Sequence, residues 1–532
     1  MRPPSAPTPS LRVVRATLAL AVLAGAAACT SALGHGDDTV LRVVPGSNLA
    51  ILDPIWTTAT VSQDHGFMIY DTLFGMDADG RIQPQMVDRY ETSADGKTWT
   101  FTLRDGLEFH DGTPVTSEDV LASLQRWGRR DTTGQELLSF VEKWESLNTR
   151  TFLMRLKSPY GLVLESLGKP FANVPFIMPK RVAATSADKQ IDDYTGSGPF
   201  IFKKDEWKPG EKVVYVRNAR YVPRAEPASG TAGGKIPRVE RVEWIIITDP
   251  QTQANALANG EVDFLEMPAF EMYRSMKRNP DIQILELNRF GGQNYLRFNH
   301  LEPPFDNPKV RQAAMAALNQ DLLLQVQVGI PGLYRTCFSV YPCRTSYATA
   351  TGMDFIAKPN PGRARQLLGE SGYSGTPIVL LQPTDVALLA RLPVMAAQLL
   401  RQVGFNVDMQ PMNWQSLVSR RAQKTGWHIF ITNSPGLSQA NPLANFSLNA
   451  GCDKAWFGWP CDAELEGLRH AFARAPDEQA RKAVAEQVQV RAMETGTHVP
   501  LGEYANLVAA RKNVTGLLPG PQTMVLWNVE KR

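Results

Sequence analysis

Apolar and polar residues alternate from Trp99 to Leu103, with Trp99, Phe101 and Leu103 separated by Thr100 and Thr102. A period of two sets those three side chains on one face of a strand. Asp105-Gly106 is a turn pair, and Leu107 and Phe109 resume the alternation, so the pattern predicts a hairpin. Beyond Asp111-Gly112 and Pro114 the period becomes helical. Val120, Leu121, Leu124 and Trp127 fall on one stripe. Thr116 stands where a helix cap belongs, with Asp119 three residues on as its reciprocal partner.

The same reading extends along the chain. Val40 to Val44 is a first strand, and Ser62 to Leu73 a helix with Phe67, Tyr70 and Leu73 on its apolar side. Tyr70 reads either as core or as a cleft residue. The Gly-Ser-Gly-Pro run at 196–199 is a tight turn leading into a strand. It lacks the Gly-Lys-Ser/Thr ending of a phosphate loop. Val242, Trp244 and Ile246 alternate, Asp249-Pro250 opens a helix, Asn259-Gly260 closes it, and Val262 to Phe264 starts another strand. A strand–helix–strand unit of this kind argues for an α/β body with a largely parallel sheet. Tyr295 to Asn299 is a strand, and Asn307-Pro308 opens a helix with Val310, Ala313, Ala314, Ala317 and Leu318 inward. A strand from Gly404 to Gln410, a helix after Trp414, and helices at Ala463–Arg474 and Asp477–Met493 complete the pattern.

Composition narrows the function classes. A chain of 532 residues exceeds one core and implies more than one domain. With 43% hydrophobic and 20% charged residues it is an ordinary globular sequence, and a net charge of +3 gives no field suited to nucleic acid. Arg2, Arg12 and Arg15 precede an apolar run from Ala16 to Ala28, the form of an export signal and too short for a membrane span. Ala26-Ala27-Ala28-Cys29 resembles a lipobox with Ala26 at the usual Leu position, so Cys29 is either a lipidated first residue or lies beside an ordinary cleavage site. In an oxidising compartment the remaining cysteines are expected to pair locally, Cys337 with Cys343 and Cys452 with Cys461. Neither pair has CxxC spacing or an intervening His, and no metal or cofactor is expected. Among the seven His there is no HExxH, and Gly369-Glu370-Ser371-Gly372 is not a nucleophile elbow, so no catalytic set is assigned.

Four stretches carry a resemblance. The run from Trp99 to Val120, the Asp249–Phe264 unit, the Asn299–Ala313 segment and the run Ala364–Tyr373 resemble, in order, the pattern of family 5 extracytoplasmic solute-binding proteins. These are the peptide, nickel and opine receptors of ABC importers. The resemblance implies a two-lobed periplasmic-binding-protein fold of type II, with an extra subdomain inserted in lobe I and a cleft between the lobes. On that basis residues 1–28 are the signal peptide and 29–38 a tether. Lobe I starts at 39–75, carries the insertion at 76–194, continues at 195–290 and ends with 500–532, while lobe II is 291–499. The implied protein is a monomer that takes a small solute (peptide-like, opine or sugar) by hinge closure and delivers it to a permease and ATPase. It works in the periplasm and touches the membrane only through a lipidated Cys29. A secreted hydrolase, or a chemosensory or chaperone binding protein, is the alternative.

In peptide-binding members an Asp of the second lobe meets the ligand's α-ammonium. The corresponding segment here, Ile431 to Pro442, holds no carboxylate, and His428 replaces a usual Asp. A buried ammonium without a counter-charge is costly, so a free α-amino peptide held in that manner is not expected. The cleft candidates are Asn48 and Trp56 from lobe I and Trp414, Asn433, Ser434 and Asn441 from lobe II. Trp456, Phe457 and Trp459, inside the Cys452–Cys461 loop, are read as anchors of that loop.

Overall fold

A computed structural model describes residues 39–475, 477–520 and 523–532. The expected signal peptide, the tether and Cys29 lie outside them.

Two long antiparallel strands, Ile282–Phe298 and His498–Arg511, run through the middle of an eleven-stranded sheet. Their outer halves, paired from Ile282↔Arg511 to Glu286↔Leu507, continue through Phe264–Leu265, Val40–Val44, Arg241–Ile245, Lys212–Arg217 and Phe200–Phe202. Their other halves lead to Ile429–Pro435, Ile378–Pro383 and Val407–Met412. Each half carries one lobe. The pairing slips between Glu286 and Tyr295, where the two strands pass from one lobe to the other. Bulges twist and bend a ladder, so the crossover is where the sheet bends most readily.

Val40–Val44 is parallel to both neighbours and so is Ile378–Pro383, as the strand–helix–strand pattern requires. The helix Pro250–Asn259 forms as read. Asp249 caps it through Thr252 N–H, Pro250 opens it, and Gly260 closes it at φ 79°. Pro308–Ala317 begins on Asn307 in the same way. Between the first strand and Phe200 a separate antiparallel sheet is inserted, in the order Val87–Thr92, Thr98–Leu103, Thr151–Leu156, Val141–Ser146.

The helix after this strand carries the capping box read from Thr116 and Asp119, spans Ser117–Arg130, and buries Val120, Leu124 and Trp127. The expected hairpin does not form. Thr98–Leu103 is paired on both edges, by Val87–Thr92 and Thr151–Leu156, so no edge remains for Leu107 to Phe109. Glu108 instead makes a single bridge to Pro114. The helix expected to reach Leu73 spans Thr60–Ile69. The turn at 196–198 stops it: Gly198 N–H donates to Ile69 O at 2.9 Å, and a Cβ on Gly196 would sit 1.7 Å from that oxygen. Tyr70 is fully buried against Phe176, a core residue and not a cleft wall.

Candidate functional site

Lobe I presents its face to the cleft through the loop that follows its first strand, and a buried carboxylate fixes that loop. Asp53 accepts the Ile55, Trp56 and Ile191 amides and is gripped by both terminal nitrogens of Arg126. Because neither partner is open to solvent, the pair is held in one geometry. The helix Thr60–Ile69 starts just beyond. Lobe II presents the strand Ile429–Pro435 and the first turn of the helix Trp414–Arg421, which Asn413 caps and Asp385 anchors through Trp414 N–H.

A cavity lies between these faces. Thr58, Thr60, Gln63 and Ala172 wall it from lobe I. Trp414, Arg421, Asn433, Ser434, Phe446 and Trp456 wall it from lobe II. Three of the six candidates therefore meet here. Ser434 Oγ hydrogen-bonds the Tyr295 hydroxyl at 2.9 Å, and Asn433 donates to the hydroxyl of Tyr504 on the crossing strand.

The other three stand outside this lining. Asn48 accepts Gly210 N–H with its side chain, while its carbonyl takes a bond from Gln415 of the opposite lobe at 2.8 Å. Trp56 lies under the Arg130 guanidinium, 5.8 Å from the ring centre. Asn441 accepts the Leu443 and Ala444 amides and shapes a turn. Both cysteine pairs are bonded, with Cα–Cα separations of 5.8 Å for Cys337–Cys343 and 4.2 Å for Cys452–Cys461. Trp459 packs on Trp427 as an anchor would, but Trp456 from the same loop is a wall of the cavity. His428 bridges backbones, accepting Val379 N–H at Nδ1 and donating from Nε2 to Pro303 O.

Arg421 was not legible in the sequence, where Arg420-Arg421 reads as the ordinary basic end of a helix. It is 2% exposed. Its guanidinium sits among Trp414, Phe430, Trp456 and Phe457, 5.2 to 5.4 Å from each ring centre. Among the described residues it has no carboxylate and no hydrogen-bond acceptor, and its Nε is buried without a partner. Burial brings its pKa down to about 10, so it stays charged at neutral pH. No acidic residue lines the cavity, and Arg421 is its sole charge among the described residues. Arg297 provides the contrast. It is equally buried, yet it donates to the carbonyls of Phe457, Ser447, Thr497 and Trp456 at 2.7 to 3.2 Å. Arg297 is saturated and structural; Arg421 is open towards the cavity.

A second space between the lobes, by Phe270 and Leu388, has its charges paired, Arg391 to Glu271 at 2.5 Å. Among the described residues one cluster has metal-ligand atoms close together, Cys337, Cys343 and Glu503. Its sulfurs are bonded to each other and Glu503 pairs with Arg335.

Residues 81–456 match the bacterial extracellular solute-binding proteins, family 5 Middle, well over half of the chain. The chain belongs to this family. A probable peptide ABC transporter periplasmic-binding protein of Sinorhizobium fredii is 39% identical over 91% of this chain and 92% of its own length. A glutathione-binding protein of Salmonella typhi is 26% identical, over 95% of this chain and 96% of its own. Among solved structures, a periplasmic binding protein of A. tumefaciens R10 in complex with agropinic acid superposes with a TM-score of 0.79 at 23% identity, over 93% of this chain and 99% of that one. A Helicobacter pylori periplasmic binding protein in complex with the peptide STSA gives 0.77 at 20%, over 92% and 98%. Such structural likeness establishes the two-lobed fold with its central cleft. As a family 5 solute-binding protein the chain works outside the cytoplasm, and among the described residues no helix is long and apolar enough to cross a membrane.

Proposed function

We propose that this family 5 receptor captures a solute bearing a carboxylate or similar anionic group, by closing its lobes over it, and delivers it to an ABC permease. The observation that carries this reading is Arg421. A cation removed from water without a partner costs several kcal/mol, and aromatic faces return only part of that. A ligand anion against its guanidinium would supply the missing charge and the missing acceptors together. The absence of any acid in the lining opposes a ligand with a free ammonium at this end. Opine-type acids and peptides whose amino end lies elsewhere or is blocked fit; a peptide read by its α-ammonium here does not. Trp414 and Trp456 would cover the ligand's apolar part, and Asn433 and Ser434 its polar groups.

In this reading lobe I comprises 39–290 and 500–532, lobe II is 291–499, and the protein turns over no substrate. Cys29, lipidated, would tether it to the membrane. Native mass spectrometry of protein purified without refolding tests the core of it. A co-purifying anionic solute is expected, lost in Arg421→Ala. Large thermal stabilisation by amidated peptides with a free amino end, retained in Arg421→Ala, would overturn it.

A further inference from the structure

Among the described residues, three contacts join one helix of the inserted unit to lobe II. Glu136 Oε1, on the helix Thr132–Phe140, meets Nδ1 of His470, on the helix Ala463–Arg474, at 2.8 Å. Thr133 Oγ1 donates to Leu443 O at 3.2 Å. The Arg474 guanidinium lies 5.6 Å from the centre of the Phe140 ring. The two sides are linked through the chain by the crossing strands alone, so opening at the bulged crossover separates all three contacts. The patch and the cavity share one stretch of chain: Ser438 and Phe446 line the cavity, and Leu443 between them accepts from Thr133.

We infer that Glu136 and His470 form a latch across the cleft mouth, and that closing the lobes takes up a proton at His470, so external acidity favours the closed, solute-holding form. The inference rests on lobe closure and not on the charge of the solute. Glu136 is 7% exposed and a buried carboxylate needs a partner. From the inserted side it is the acid that meets the ring; the nearby Asp131 is already paired with Lys169 at 2.5 Å, and the Tyr160 hydroxyl is bonded to Ser166. On the helix of His470 itself, Glu466 favours the imidazolium and Arg469 opposes it, and Arg469 is held by both oxygens of Glu466.

The hydrogen bond to Glu136 raises the His470 pKa above its ordinary value, against the opposing effect of partial burial. In an open form the ring loses that bond and its pKa moves back down towards the ordinary value. The closed form therefore binds the proton more tightly. Its advantage is present below pH 6.5 and is lost as pH rises through the raised value. Each unit of difference between the two pKa values multiplies the closed-to-open ratio by about ten.

Spin labels on Lys143→Cys of the inserted sheet and Lys482→Cys of lobe II report the opening directly. In protein stripped of ligand, the short-distance population is expected to grow several-fold between pH 8 and pH 6. His470→Gln and Glu136→Gln should remove that growth. The wild-type His470 ring, followed by NMR, should titrate above 6.5 when the lobes are closed. An unchanged pH response in both variants, or a ring that titrates at its ordinary value in the closed form, overturns the inference. Neither readout involves Arg421, so the two readings fail independently.

Discussion

The guanidinium of Arg421 lies 5.3 Å from the ring centre of Trp456, and the backbone around that ring is held by a second buried arginine, Arg297. One cation builds the wall and the other faces the space behind it. They differ in partners and not in burial, and that difference separates stability from function.

Replacing Arg421 by Met should therefore stabilise the empty protein while abolishing capture. Exchanging an uncompensated buried charge for an apolar chain of similar volume is expected to gain about 1–4 kcal/mol. Chemical denaturation of ligand-free protein measures the gain, and loss of the co-purifying solute measures its cost. A variant less stable than the wild type would mean that Arg421 has a structural partner.

The same exchange at Arg297 should go the other way. Four carbonyls would lose the guanidinium at once: Trp456 O keeps the Trp459 N–H at 3.1 Å, while those of Phe457, Ser447 and Thr497 lose the donor that Arg297 supplies. A loss of about 3–5 kcal/mol in urea denaturation is expected. An Arg297→Met protein of unchanged stability would show that water replaces the guanidinium.

Most of the scaffold was legible because its signals are local. The Thr116–Asp119 box and the Asp249-Pro250…Gly260 helix are decided within a few residues of sequence, and both stand where the pattern put them. The hairpin that the pattern predicts at Leu107 does not form, because strand pairing is a long-range choice. Thr98–Leu103 finds its second partner at Thr151–Leu156, some fifty residues on. The site was half legible for the same reason. Trp414, Asn433 and Ser434 sit in segments whose family place is clear. Asn441 went to a turn, a use of Asn that sequence cannot distinguish from ligand binding. Arg421 left no trace because its oddity is the absence of a partner, which only three dimensions reveal.

Acid should weaken the fold through its buried histidines, His65 and His498 above all. His65 and His498 are closed off from solvent, and burial pushes both pKa values down to about 3. In the unfolded chain each titrates near 6.5. The folded value lies below the unfolded one, so their contribution is intact above about pH 6.5 and is lost progressively as pH falls towards 3. Each costs about 1.4 kcal/mol per pH unit in that window. Urea unfolding at pH 7, 6 and 5 should show the decline, and His498→Gln should flatten it by one histidine's share. An equal slope in the variant would refute the assignment.

Opening the Cys452–Cys461 loop should affect the cavity as well as stability. The bond closes a loop of sequence separation 9, for which chain entropy gives about 2–3 kcal/mol. Trp456 rides in that loop and is a wall of the cavity. The double Cys→Ser variant should lose both stability and ligand affinity. The Cys337–Cys343 pair, whose residues do not line the cavity, should lose stability alone. Ligand-induced shifts in Tm for the two variants separate these outcomes.

The hinge offers the sharpest steric test. At Gly292, where the crossing strand meets Tyr504, a Cβ would lie 2.4 Å from the Tyr504 ring. Tyr504 is 3% exposed, packs edge-on against Phe270, and receives the Asn433 amide with its hydroxyl. Gly292→Val must displace that ring, which costs about 1–3 kcal/mol and turns Asn433 loose at the cavity wall. Tyr504→Phe keeps the ring and removes the hydroxyl alone, a loss of about 0.5–1.5 kcal/mol. If the bond positions Asn433 for the ligand, both variants should weaken capture, and Asn433→Ala should add little to either, because residues acting through one contact are not additive. Full additivity in that double-mutant cycle would mean that Tyr504 and Asn433 act separately, and that the crossing strand shapes the cleft without guiding its walls.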